Sequence, residues 1–522
     1  MSTTGSRRAV RWWIAGAIVA LSAAVLAWNG LVREATGQER VMAAGGTLLC
    51  TGAALYAWAV LLSRFRARTR LAVLVCVPLL ALAGRGLFEV RGVSGNLIPL
   101  LRWRLAADPE AGLSSPEAEV AAPAPEASAS LDFPRFLGPD ADAVVRGVRL
   151  ARDWEAHPPR LLWRRAVGPG WSGFAVRGSA AITQEQRKGS ELVVCYDLLT
   201  GAVRWSHADE ARFDSVIGGI GPRATPTIHG GRVLTVGGTG ILNCLELATG
   251  EPLWSHSMVV ENGGSMNTWG TSCSPLVVGG RVVVSAGGPD GHSLVAYDLE
   301  TGEVAWRGGD DGAGYSSPKL LELAGTPQIV IFNSSSVAAH DPGDGRVLWT
   351  HPWSERNPNV AQPVPVGPDD LVLSSGYGVG AERLRVGRDE AGAFTVERVW
   401  HSRALKAKFA NFVLREGHLY GLDDGILACV DAERGRRSWK GGRYGHGQLL
   451  LVEDLLLVGA EDGSLVLVEA VSDGHHELAR ADALDQKTWN SPALAAPYLL
   501  VRNDLEAACF ELALEEEPNG GG

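Results

Sequence analysis

The sequence predicts an all-β fold: an eight-bladed β-propeller with closure between its N- and C-terminal strands, preceded by an N-terminal transmembrane helical region. Three observations carry this expectation. A strand–turn–strand unit recurs along most of the chain, it returns at a characteristic interval, and its two halves are offset by one.

The unit is clearest in "AYDLETGEVAW" (Ala296–Trp306) and returns as "CYDLLTGAVRW", "CLELATGEPLW", "AHDPGDGRVLW" and "CVDAERGRRSW". In each, an acid stands four residues before a Gly and a Trp four residues after it. Asp197, Asp298, Asp341 and Asp431 read as turn formers, their carboxylates accepting turn N–H groups. The Gly takes the positive φ that a Cβ would oppose. Trp205, Trp254, Trp306, Trp349 and Trp439 fall on the following strand, where a large flat side chain fills the gap between stacked sheets. Trp163 lacks a preceding turn, Trp400 follows a degenerate one, and Leu478 stands where an eighth Trp is expected.

These markers are 39 to 52 residues apart, the length of a four-stranded propeller blade and too long for most helical-pair repeats. Between them lie hairpin patterns such as "SPLVVGGRVVVSAGG", with Gly-Gly as the turn. The chain meets a Trp-type strand first (Trp163) and ends on a turn-side strand, "CFELA" (Cys509–Ala513). Pairing these two closes the ring and removes its free edges.

Ahead of the propeller, assigned to residues 131–515, residues 1–105 hold three apolar runs: Trp12–Trp28, Met42–Leu62 and Leu71–Gly84, the last extendable to Val90. Their lengths suit membrane spans. Arg7, Arg8 and Arg11 precede the first, and Arg64, Arg66, Arg68 and Arg70 separate the second from the third. By the positive-inside rule these flanks face the cytoplasm, and three spans place the propeller outside. Arg85, Arg91, Arg102 and Arg104 pull the other way, and with only two spans the propeller would be cytoplasmic. Residues 106–130, rich in Pro, Ala, Glu and Ser, read as a disordered tether, and residues 516–522 as a flexible tail.

Cys195, Cys244, Cys429 and Cys509 share one repeat position, occupied elsewhere by Ala296 and Ala339, so they read as small packing residues. The sequence has no C-x-x-C pair and no C-x-x-C-H haem motif, and no metal ligands are assigned. Its net charge of −10, with no basic stripe, argues against nucleic acid as a partner.

The A-x-D-x-x-T-G-x-x-x-W repeat resembles that of the PQQ-like propellers, a family that includes quinoprotein dehydrogenases and the outer-membrane assembly scaffold BamB. "FPRFLGP" (Phe133–Pro139) is similar to a preamble in bacterial PQQ-like proteins. The dehydrogenase branch implies PQQ over the central channel, a calcium ion held by acidic and amide side chains, an Asp base, and often a disulfide between neighbouring cysteines. This chain has no adjacent Cys pair, and no stretch aligns with the calcium ligands. The BamB branch implies a non-catalytic scaffold for envelope proteins. The expectation is therefore a scaffold at the bacterial inner membrane, its propeller facing the periplasm, with protein partners and no cofactor. The alternative is a PQQ- and calcium-dependent dehydrogenase of an alcohol or sugar.

No residue is assigned a catalytic role. Polar and aromatic residues do cluster where inner strands begin: Arg223, Asn267, Trp269, Lys408, Asn411, His446, Lys487, Trp489 and Asn490. Converging on one channel mouth, they would suit an anionic or planar ligand. Plugging the channel and capping strand starts is the simpler role for each.

Overall fold

The computed structural model describes residues 9–31, 35–106, 110–113, 116–119, 132–355 and 358–515. The chain divides into two compact units, Met1–Ala107 and Asp108–Gly522. The centre of the expected tether and the expected tail lie outside the described residues.

The first unit contains helix α1 (Trp12–Leu31), helix α2 (Gly37–Ala57), which continues through a wide π turn to Leu62, and helix α3 (Ala67–Leu87). All three are long and apolar enough to cross a membrane. Thr36 and Glu39 cap α2 reciprocally, which explains why the helix begins ahead of the apolar run at Met42. At 21 residues α3 spans about 31 Å, close to a hydrocarbon core. It does not reach Val90. Phe88–Val93 instead pairs antiparallel with Pro99–Trp103 as a hairpin, with Phe88 edge-on to Trp103 at 5.0 Å. β-Branched and aromatic residues around "RGVSGN" favour a turn and two strands over further helix.

Besides a two-stranded ribbon (Asp214–Ser215 with Gly219–Ile220), the second unit holds eight sheets in succession, and in the first seven the four blade strands are ordered as the chain runs. Blade 1 starts at Ala175–Arg177 and ends at Val203–Asp209. Blades 2 to 7 span residues 227–257, 276–308, 319–352, 364–402, 407–443 and 448–482. Blade 8 takes three strands from residues 493–511, and its outermost strand is Arg160–Ala166. Cys509 faces Trp163 across that closure, as the offset in the repeat requires. First strands of neighbouring blades pack side by side around the axis. Gly279 and Gly280, both at positive φ, turn the first hairpin of blade 3.

The outer half of each blade shows why the repeat has its spacing. Cys195, Cys244, Ala296, Ala339 and Cys429 each lie directly opposite a repeat Trp on the next strand. A small side chain leaves room there for the indole, although in blade 5 the residue facing Trp400 is Arg383. That indole then reaches the following blade's turn. Trp163, Trp205, Trp254, Trp306, Trp400 and Trp439 donate Nε1–H to a carbonyl in it, at 2.8–3.2 Å. A Cβ on Gly250 would stand 2.3 Å from the Trp205 ring, so this glycine serves both positive φ and the neighbouring blade. Asp298 Oδ1 accepts the Glu300 and Thr301 N–H groups at 2.9 Å, and Asp197 and Asp431 make the matching pair of bonds. Asp341 accepts from Gly343 N.

Two blades depart from this pattern, each for a visible reason. Blade 5 lacks the turn motif, and Trp349 of blade 4 donates instead to Gln328 within its own blade at 2.6 Å. In blade 7 the Trp position is occupied by Ala479, opposite Leu467. Leu478, expected there from the sequence, is the bulged residue one place earlier. Blade 8 is assembled from both ends of the domain and has no outer turn, so an indole at this position would have nothing to dock on.

Residues 132–154 form a strap that the sequence does not announce. Phe133 bridges Val176 of blade 1, and Pro134 O accepts from Ile228 of blade 2. Val144–Val145 then runs parallel to Leu451–Val452 of blade 7. Leu150 bridges Leu514, and Arg152 pairs with Asp454 and Glu469. The strap thus lies over the end of the channel where the first strands finish.

Candidate functional site

At the opposite end, where the first strands begin, two structures occupy the channel mouth. One is a belt of hydrogen bonds from blade to blade. Gly173 N donates to Thr225 Oγ1 (3.1 Å), Thr225 N to Ser274 Oγ (3.0 Å), and Ser274 N to Ser317 Oγ (2.9 Å). The Gln362 amide pairs with both backbone groups of Ser317, and Gln362 N donates to Asn411 Oδ1 at 2.8 Å. Gln448 Nε2 spans the Phe409 and Trp489 carbonyls. Asn490 Nδ2 returns the belt to blade 1 through Gly170 O and Ser172 O. First strands of only two to nine residues cannot hold eight blades together through their ladders alone. The belt satisfies the buried backbone groups left at their beginnings.

Across this mouth the rings of seven segments meet. Trp171 lies 5.0 Å from Trp489, Trp489 5.1 Å from Phe409, and Phe409 5.8 Å from Trp269. Trp269 also meets Tyr315 (5.2 Å) and Tyr377 (6.5 Å), and Phe409 meets His446 (5.4 Å). Two lysines lie on these rings: Lys408 on Tyr377 and Phe409, and Lys487 4.0 Å above Trp489 and 4.6 Å above Trp171. Such cation–π placements hold a partly desolvated ammonium where water cannot reach all of it.

The structure therefore brings five of the nine expected residues together: Trp269, Lys408, His446, Lys487 and Trp489. The other four serve the backbone. Asn411 and Asn490 are belt members, and Asn267 Nδ2 donates to Ala313 O and Gly314 O. Arg223 packs over Phe213 and donates to the carbonyls of Gly218, Gly219 and Gly221, ordering its own loop. Trp171, Tyr315, Tyr377 and Phe409 escaped the sequence reading. Each lies in or beside a loop at a blade's inner edge, and only the closed ring makes them neighbours.

Burial lowers the Lys408 ammonium to about 8, against the opposing pull of Asp424 and Glu461. Burial, reinforced by Lys408, lowers His446 to about 4, so its imidazole is neutral at pH 7. Glu461 receives Trp489 Nε1–H at 3.0 Å on one carboxylate oxygen and His446 N–H at 2.9 Å on the other.

A planar cofactor such as PQQ would need a gap among these rings. The mouth rings stand within direct contact range, about 4.5–7 Å between centroids, so no further ring slides between them. Among the described residues no three His, Cys, Asp or Glu side chains gather closely enough to hold a metal ion. The cysteines are unpaired thiols.

Comparison with known proteins bears on the fold. Residues 188–441 match the family model described as outer membrane protein assembly factor BamB. No curated protein sequence matches the chain. Among solved structures, BamB from Moraxella catarrhalis is similar at 16% identity and a TM-score of 0.50, over 69% of this chain and 99% of that one. Quinohemoprotein alcohol dehydrogenase from Comamonas testosteroni is similar at 14% identity and a TM-score of 0.53, over 76% and 82%. The ADHIIG quinohemoprotein alcohol dehydrogenase of Pseudomonas putida HK5 is similar at 12% identity and a TM-score of 0.52, over 75% and 82%. With its repeat, its eight blades and its N-to-C closure, the repeat domain of this chain is an eight-bladed β-propeller, and residues 188–441 of it are similar to the BamB family model.

Proposed function

We propose that the protein is a membrane-tethered propeller that binds partner proteins of the cell envelope from the extracytoplasmic side, without catalysis of its own. The observation that carries this reading is the channel mouth, where Trp171, Trp489, Phe409 and Trp269 pack ring against ring and both lysines lie on their faces. A catalytic pocket needs open volume with converging polar groups. This mouth spends its aromatic and cationic side chains on one another. A disc with broad loop faces and a rigid rim suits protein surfaces or extended peptide strands.

Titrating the purified chain with PQQ and calcium is expected to give no change in quinone absorbance and no dye-linked oxidation of alcohols or sugars. A discrete protein assembly should copurify with the chain and survive Lys408→Ala and Lys487→Ala. Saturable PQQ binding with turnover would overturn the scaffold reading in favour of a dehydrogenase.

The orientation rests on the three apolar helices and on Arg64, Arg66, Arg68 and Arg70 between the second and third. Alkaline phosphatase fused after Leu105 is expected to be active, and green fluorescent protein fused there dark if exported by the general secretory route. The opposite pair of results would place the propeller in the cytoplasm.

A further inference from the structure

Beneath the strap lies a partly open cavity of about 290 Å³. The strap contributes Arg135, Phe136 and Asp140 to its lining. Below them, Ser274, Ser317 and Lys319 come from the first strands of blades 3 and 4 and the segments leading into them. It lies on the strap's side of the belt, whose Ser274, Ser317 and Gln362 also line it, and Lys319 follows Tyr315 and Ser317 along the blade 4 segment.

The charges here do not cancel in pairs. Asp140 and Asp142 are both held by Arg146, at 3.1 and 2.6 Å. Arg135 directs Nε and Nη2 to a backbone carbonyl, that of Pro139. Lys319 is only 6% exposed, and its Nζ has one protein acceptor at the limit of hydrogen bonding, Pro363 O at 3.5 Å. The described residues bring no carboxylate within salt-bridge range of either cation. A lysine carries three N–H donors and an arginine five, and buried charges are ordinarily paired. Neither cation donates to the nearby hydroxyls of Ser274 and Ser317, which accept backbone N–H groups in the belt.

We infer that this cavity is a binding site for a small anion, a carboxylate or phosphate group held between Lys319 and Arg135 beneath the strap. The volume admits roughly ten water-sized groups, enough for such an anion with a short apolar substituent against Phe136, Pro275 and Leu276. Burial lowers the Lys319 ammonium to about 8; Asp142 and Asp140 oppose that shift, while Arg135 and Arg146 add to it. Anion binding, which needs the protonated lysine, should therefore weaken as pH rises through 8.

Calorimetry on the full chain in detergent tests this with two probes, inorganic phosphate and butyrate, and with tetramethylammonium chloride as the salt control. Saturable binding of at least one anion is expected at pH 7, weakened about tenfold at pH 9 and about tenfold or more by Lys319→Met. Phosphate alone, butyrate alone or both each support the site and sort its chemistry. In the unmodified chain, a saturating probe should slow acylation of Lys319 about fivefold or more by mass spectrometry. This protection, together with Arg135→Gln, decides the matter if Lys319→Met fails to fold. No binding of either probe, or binding indifferent to both substitutions and to pH, would overturn the proposal. PQQ turnover at the aromatic mouth would leave it standing.

Discussion

Replacing Trp163 with alanine is expected to destabilise the protein by about 3–5 kcal/mol, the range for losing a buried tryptophan. The side chain is 8% exposed, donates to Leu198 O at 2.8 Å, and lies against Gly201 so closely that a Cβ there would stand 2.6 Å away. Trp163 sits on the strand that completes blade 8, and its indole docks on blade 1, so it joins two blades at the seam of the ring. Leu478→Ala is the control. That residue is 38% exposed at a bulge with no turn to meet, and about 1 kcal/mol is expected. Urea denaturation followed by circular dichroism measures both. Equal losses for the two variants would mean that the closure does not depend on tryptophan docking.

Asp423→Ala is expected to cost about 3 kcal/mol, near the low end for stripping one partner from a buried ionic cluster. Asp423 ends the second strand of blade 6 with no exposed surface. It binds the Lys406 and Lys440 ammonium groups, Arg437 at 3.1 Å, and the Lys406 backbone N–H at 3.0 Å. Removing it leaves three cations crowded around an apolar site. The cost stays near the lower bound because Arg437 remains 39% exposed and is partly hydrated. Arg437→Ala, which removes only that exposed partner, should cost less than about 1 kcal/mol. Denaturation midpoints at low and high salt separate the two. A loss at Asp423 no larger than that at Arg437 would show that the cluster is solvated.

The aromatic mouth was legible in part. Trp269, Lys408, His446, Lys487 and Trp489 stand out because each lies where an inner strand begins. Phe409, between Lys408 and Asn411, is not distinguished by the sequence, because a lone Phe within a strand reads as core. Its partners, Trp269, His446 and Trp489, belong to three other blades. The belt was hidden for a similar reason. Thr225, Ser274 and Ser317 are ordinary strand-start residues until neighbouring blades bring each hydroxyl under the next backbone N–H.

Blade number, closure and three apolar helices were readable from the sequence because they rest on local rules. Turn acids, positive-φ glycines and alternating strands act over ten residues or so, and their repetition can be counted. The one-residue shift at Leu478, the strap over the channel, the meeting of seven ring-bearing segments at one mouth, and the cavity holding Lys319 were decided by the tertiary structure alone. Each depends on residues far apart in the chain becoming neighbours around a common axis. That proximity is produced by closing the ring, and no local pattern encodes it.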